Sequence, residues 1–319
     1  MKFPPWRAVE TGEAYEAEGS WLKADGALTV PVTNGIPRFV ASEAYTSSFG
    51  LQWNEFQRTQ LDSFSRVPLS RDRLRRCIGE NVWNRLSETV VLECGCGAGR
   101  FTEVLLDEGA LVMSVDLSTA VDANAVNFPV TDKHRIAQAD ILDLPFAPSS
   151  FDLVICLGVI QHTPEPEATI AALWGQVAPG GTLVIDHYEK GHSGLFHSTK
   201  PLVRSLLKGR EPKQSMRMTN KMVDIFFPLH VAVRRVYPLW FILCRLSPIT
   251  TYLRKYPELN PAAQREWAYL DTHDSLTDYF KHERSREQIH SVLVGLGGQQ
   301  IWCVDGGNGV EARAVKSPA

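Results

Sequence analysis

From Val90 onward the chain alternates short apolar runs with amphipathic ones. Residues 90–94, 111–115, 135–139, 151–157 and 182–186 are strand-like. Residues 101–108, 118–128 and 167–177 have the periodicity of helices. That order predicts a parallel sheet covered by helices on both faces. The run 151–157 is apolar almost throughout, as a central strand buried on both sides should be. Gly109 is placed to end the first helix, Ser118 to cap the second, and Pro179-Gly180-Gly181 to stop the third.

The alternation then breaks for about ninety residues. Residues 189–280 read as helical, and Pro201, Pro212, Pro228, Pro238, Pro248, Pro257 and Pro261 should chop them into short pieces. A helix over 285–296 and strands over 300–304 and 310–315, joined by a glycine-rich turn, complete the pattern. Before Val90, "GALTVPVTNGIPRFV" predicts two short strands around Asn34-Gly35, and residues 42–76 a loop followed by one or two helices. Three parts follow: an N-terminal hairpin and helical segment over 1–76, a core built from 77–188 and 281–319, and a helical insertion over 189–280 that covers it as a lid.

Composition narrows the class. With 44% hydrophobic residues in 319, the chain can bury one large core or two unequal ones. No apolar stretch has the length of a spanning helix, and no signal-like run follows Met1, which makes a cytoplasmic protein the expectation. The six cysteines form no CxxC pair and read as small hydrophobes in a reducing compartment, so no metal is expected. The net charge of −3 hides an asymmetry: residues 200–256 carry twelve Lys or Arg against Glu211 and Asp224, a local charge of +10. Such a block suits an anionic partner or a solvated helix face.

The most informative stretch is "VVLECGCGAGRF", residues 90–101. Gly95, Gly97 and Gly99 permit positive φ and close approach of a ligand to bare backbone amides. A dinucleotide loop would place its third glycine one residue later, where Arg100 stands. Glu93, directly before the turn, suits an ammonium better than a pyrophosphate. The stretch resembles motif I of class I S-adenosylmethionine-dependent methyltransferases. Further matches fall in the order of that family: Asp116 at the end of the second strand, "AQADILDLPF" with Asp140, "FDLVICLGVIQHTPEP", and "LWGQVAPGGTLVI".

The resemblance implies a Rossmann-like, seven-stranded, mostly parallel sheet with one antiparallel strand, and S-adenosylmethionine as cofactor. It implies cofactor contacts at Glu93, the three glycines, Asp116 and Leu117 for the ribose, Asp140 and Ile141 for the adenine, and Leu157. Trp53, on a helix that could cover the cofactor, joins them. The segment around "GIPRFV" resembles part of the small Trm112-like zinc-ribbon modules, without their cysteines, since none precedes Cys77.

Methyl transfer to an alcohol or phenol requires removal of a proton, and histidine titrates in the right range. His162, in the loop after the fourth strand, and His187 and Tyr188, after the fifth, are candidates for that work. "YLDTHDSLTDYFKHERS" adds Asp271 and His273 as residues to face an acceptor, although a polar entry to the last helix explains the same cluster. The expected substrate is a small acceptor, phosphorylated, nucleotide-linked or neutral, methylated at O or N. The cationic, apolar insertion would also suit a membrane surface. An RNA methyltransferase and a catalytically silent cofactor-binding partner are the alternatives. The overall acidity and the lack of a nucleic-acid-binding module argue against nucleic acid.

Overall fold

A computed structural model describes residues 1–40, 46–190, 199–307 and 309–318. Its N-terminal part is a small antiparallel sheet of four strands, β1 (Glu16–Glu18), β2 (Trp21–Lys23), β3 (Val30–Thr33) and β4 (Ile36–Pro37). The β3–β4 pair is the expected hairpin, turned at Asn34 and Gly35, both with positive φ. β1 and β2 are additions that sequence reading missed, because three-residue strands with mostly exposed side chains carry no apolar alternation. Helices α1 (Ser47–Glu55), α2 (Asp62–Ser65), α3 (Leu69–Ile78) and α4 (Glu80–Trp83) lead into the core.

The core follows as β5 (Val90–Cys94), α5 (Arg100–Asp107), β6 (Leu111–Asp116), α6 (Ala120–Asn127), β7 (His134–Gln138), β8 (Phe151–Cys156), α7 (Pro166–Gln176) and β9 (Val177–Tyr188). The insertion supplies α8 (Lys200–Leu207), α9 (Pro212–Val233), α10 (Tyr237–Leu246) and α11 (Pro261–Thr277). α12 (Arg286–Gly295), β10 (Gln299–Gly306) and β11 (Gly309–Val315) close the chain. The seven core strands order as β10-β11-β9-β8-β5-β6-β7. β5 to β9 pair in parallel, and β11 runs antiparallel to both neighbours. The strand order reverses between β5 and β8, and open α/β sheets place their ligands outside the carboxyl ends of the strands at such a point.

Packing explains why this sheet forms. Leu92, Met113, Val154 and Ile185 bury one face with α7 and α12, while Val91, Val112, Leu153 and Val184 bury the other beneath α3 and α5. Arg73, from α3, ties two strands together across that second face: its guanidinium pairs with Asp186 of β9 and approaches Glu311 of β11 at 3.7 Å. Arg76 reaches the same Glu311 at 2.8 Å.

Three local expectations need correction. Ser118 caps α6 from one residue further back than expected: Thr119 stands at the cap position without a side-chain bond, while the Ser118 hydroxyl accepts from the Ala120 amide at 3.2 Å and donates to Asp116 at 2.7 Å. Pro179-Gly180-Gly181 does not end α7 but lies within β9, where the five steps from Val177 to Thr182 stand opposite two steps from Phe151 to Leu153, an irregularity the glycines absorb. Pro228 does not break the insertion: α9 continues through it for 22 residues, anchored on both sides by buried Val223, Phe227 and His230. Pro201, Pro212, Pro238 and Pro261 instead stand in the first turns of their helices, where a missing N–H costs nothing.

Candidate active site

A cavity of about 570 Å³ opens over the carboxyl ends of β5, β6 and β8. That volume suits a small-molecule site. One wall is the turn from Gly95 to Ala98 with Asp116, Leu117, Asp140, Ile141, Leu157 and Gly158, while Gly99, expected beside the cofactor, stands outside the lining and packs under Phe128. Phe49 and Trp53 of α1 stand over it, and Lys200, Tyr252, Asp271 and Asp274 of the insertion form the opposite wall.

The turn is shaped by its own packing. Gly95 has φ +72°, and a Cβ there would meet a Val159 methyl at 2.2 Å. Gly97 has φ +51° and lies under the Trp53 indole, which a Cβ would approach at 3.2 Å. Two expectations are corrected here. The amides are not left bare: Gly95 and Cys96 donate to the Val115 carbonyl, Gly99 to that of Cys96, and Gly97 to Asp116 at 3.0 Å. Glu93 is not in the cavity wall. It is buried behind the turn, accepting from the Thr102 hydroxyl at 2.5 Å and that of Ser114 at 3.0 Å, because the end of β5 directs it between α5 and β6.

Burial pushes the Glu93 carboxyl up to about 7, against the opposing effect of those hydroxyl donors. The folded state therefore holds its proton at pH values where the unfolded chain has lost it. Stability from this group is full below about pH 4.5 and is lost as pH rises through about 7. The expected result is that the unfolding free energy of wild type relative to Glu93→Gln declines by roughly 2–3 kcal/mol between pH 4.5 and 8. Denaturant melts of both proteins across that range check it, and parallel pH profiles would reject it.

Asp116, at the end of β6, is the carboxylate the cavity presents beside the turn. One oxygen accepts from Gly97, and the other from the Ser118 amide at 2.9 Å and hydroxyl at 2.7 Å. Those bonds fix its plane and leave acceptor capacity on the Gly97-facing oxygen for a ligand hydroxyl. Asp140 accepts from the Leu142 amide at 2.9 Å, which pins the start of the short turn bearing Ile141.

On the other side, His162 lines the cavity and Tyr188 stands edge-on to it, with ring centroids 5.3 Å apart. His162 Nδ1 lies 3.2 Å from the Phe280 carbonyl and 3.4 Å from an Asp278 carboxylate oxygen. A carbonyl only accepts, so Nδ1 carries the hydrogen and Nε2 the lone pair. Burial lowers the His162 pKa, but Asp278 and Asp274 outweigh it and hold the ring above its ordinary value.

His187 and His273 do not join this site. Alternation along β9 puts Tyr188 in the cavity wall and His187 on the other face, where Nδ1 meets the Tyr188 carbonyl at 3.0 Å and burial pulls the ring down to about 4. His273 lies in the helical core, its Nε2 at 3.0 Å from Ser48 and Nδ1 at 3.2 Å from Thr219. Burial brings it to about 4 as well. Helical spacing separates it from Asp271 and Asp274, which turn toward the cavity three residues apart. The cluster is thus no entry to α12, since most of it is the last two turns of α11.

Sequence reading missed Lys200 and Arg100. Burial brings Lys200 down to about 7 and takes the neighbouring Asp271 up to about 6. The Lys200 ammonium donates to Thr250 at 2.7 Å. Arg100, the residue after the turn, lines the cavity with its guanidinium donating to Ser70 and Gln60 and lying over the Trp267 ring. Neither has a motif to announce it. Lys200 meets the turn only through the way the insertion folds back, and Arg100, though next to the turn, is oriented by Ser70, Gln60 and Trp267, far away in sequence.

Residues 92–185 match the family described as "Methyltransferase domain". That match spans the glycine turn, Asp116, Asp140 and His162 in one stretch. By that match, residues 92–185 carry a methyltransferase domain. Ubiquinone biosynthesis O-methyltransferase of Pseudomonas fluorescens is 36% identical over 95 residues, covering 28% of this chain and 40% of the relative. An uncharacterized protein of a Synechococcus strain is 33% identical over 110 residues, covering 33% of this chain and 26% of the relative. The chain thus spans at most about two-fifths of the length of these two relatives. Human N-acetylserotonin methyltransferase, solved in complex with S-adenosylmethionine, aligns at a TM-score of 0.42 and 15% identity, over 86% of this chain and 58% of that one.

The cavity of the methyltransferase domain fits S-adenosylmethionine on its own chemistry. It offers a carboxylate held by three donors at the end of β6, a turn whose glycines cannot take a side chain, and an aromatic cover at Trp53. Among the described residues no three His, Cys, Asp or Glu side chains converge as metal ligands, and no helix is long and apolar enough to cross a membrane.

Proposed function

We propose that this protein transfers a methyl group from S-adenosylmethionine to a hydroxyl oxygen of a small acceptor, with His162 as general base. The observation that carries the reading is the His162 imidazole in the cavity wall, its Nδ1 fixed by Phe280 and Asp278. The cofactor supplies the activated methyl as a sulfonium. Asp116 holds the ribose hydroxyls, Asp140 and the Ile141–Leu142 backbone hold the adenine, and Trp53 closes over the turn.

His162 Nε2 takes the proton of the acceptor hydroxyl, and Asp278 stabilises the imidazolium that results. Asp278 is held in turn by the Arg204 guanidinium, so the positive ring forms beside an oriented carboxylate. Phe49, Tyr188 and Tyr252 provide flat apolar surface for the acceptor body, and excluding water there preserves alignment for the in-line displacement. The ubiquinone biosynthesis relatives are O-methyltransferases by name, which agrees with transfer to oxygen.

The test is a panel of phenolic, aliphatic hydroxyl, amine, phosphorylated and RNA acceptors, read by methyl mass gain and by formation of S-adenosylhomocysteine. Gain on a hydroxyl acceptor supports the reading. Gain on RNA alone overturns it. Tight cofactor binding with no turnover on any acceptor would point to the silent partner instead.

A further inference from the structure

We propose that helices α8, α9 and α10 form a face that docks on an anionic membrane surface. The starting point is α10, "YPLWFILCRL": eight of its ten residues are apolar or aromatic, yet Cys244 is the buried one. Tyr237, Leu239, Ile242 and Leu246 are all exposed, Ile242 by 54%. Adjacent helices repeat the pattern at helical spacing, with Leu202 and Leu206 on α8 and Ile225 and Leu229 on α9. The three are neighbours: α10 packs on α9, and the Thr199 hydroxyl just before α8 donates to the Leu246 carbonyl at the end of α10. Scattered exposed apolar residues are ordinary, but eight large ones on three adjacent helices need an occupant.

Charge identifies that occupant. Lys213, Arg217, Lys221 and Arg245 on the same helices, and Lys208, Arg210 and Arg235 in the turns that join them, are exposed within the segment of charge +10. A second copy of this face would meet it charge against like charge, whereas a bilayer rich in anionic lipid complements it. The ring chemistry agrees. Arg254 lies over Tyr237 and Trp240 at 5.3 and 5.0 Å, and Tyr and Trp are residues of the membrane interface. With no helix among the described residues both long and apolar enough to span, these helices would lie in the plane of the headgroups, apolar side down and cations at phosphate level. None of the residues named belongs to the catalytic or cofactor groups, so docking stands or falls apart from the identity of the acceptor.

Co-sedimentation of the full chain with vesicles of phosphatidylcholine alone, or with one third phosphatidylglycerol, tests this. At low salt the anionic vesicles should bind roughly ten-fold or more of the protein bound by the neutral ones, and added salt should reduce that excess. Leu239→Glu with Ile242→Glu should lower binding about ten-fold with thermal midpoint and cofactor affinity unchanged. Lys213→Glu with Arg217→Glu should remove the preference for anionic lipid. Equal uptake by both vesicles, no uptake, or indifference to the α10 pair would overturn the proposal. So would a concentration-dependent dimer in sedimentation velocity that the α10 pair abolishes, because the face would then be covered by a second copy.

Discussion

Replacing His162 with alanine is expected to lower kcat by roughly 100- to 1,000-fold while leaving cofactor affinity within about two-fold. The magnitude is that of a lost general base. The sparing of affinity follows from position, since His162 faces the insertion side of the cavity while Asp116 and Asp140, the carboxylates proposed to hold the cofactor, lie on β6 and after β7. Single-turnover rates with calorimetric binding separate the two, and an unchanged rate at saturating acceptor removes His162 from the mechanism. Asp278→Asn sharpens the test. A base works in its neutral form, so the rate rises as pH climbs through the ring's pKa. Asp278 and Asp274 hold that pKa above the ordinary value against the burial that lowers it. Removing one carboxylate should therefore move the acidic limb of the kcat profile to lower pH, and a purely structural role for Asp278 would not move it.

How much of this was legible depends on whether a residue's neighbours lie near it in sequence. β5 and its glycine turn are a continuous strand and turn, and Asp116 ends the next strand after one helix, so periodicity and residue type place them directly. The antiparallel closing pair is likewise local. Glu93 was visible as an acid but not as a buried one: its direction depends on Thr102 and Ser114, nine and twenty-one residues away. His187 and His273 show the limit of type alone. One residue along β9, or one around α11, takes a histidine from the cavity into the core, and only the register of the strand and the helix's packed face decide which. Asp278 and Lys200 become functional groups through contacts more than seventy residues distant in the chain, with Arg204 and Ser275, and local periodicity holds no record of those.

Replacing Asp116 with alanine is expected to weaken S-adenosylmethionine binding by about 1.5 to 3 kcal/mol, the scale of hydrogen bonds to a charged group. That is roughly a 10- to 150-fold rise in Kd. Three donors, from Gly97 and Ser118, hold this carboxylate in place before any ligand arrives, so the ribose meets an acceptor already oriented and little ordering remains to oppose binding. Part of the loss could come from the turn itself, because the variant frees the Gly97 amide. Ser118→Ala separates the contributions: it removes one donor to Asp116 and leaves the Gly97 contact, and should cost about ten-fold or less. Acidity offers a second check. Burial raises the Asp116 carboxyl above its ordinary value, so wild-type affinity should fall on the acid side earlier than an exposed aspartate would allow, and the alanine variant should lose that dependence. Calorimetry across pH reads both effects. An affinity equal to wild type at neutral pH would mean the ribose is held elsewhere, and the cofactor orientation inferred from β6 would have to be abandoned.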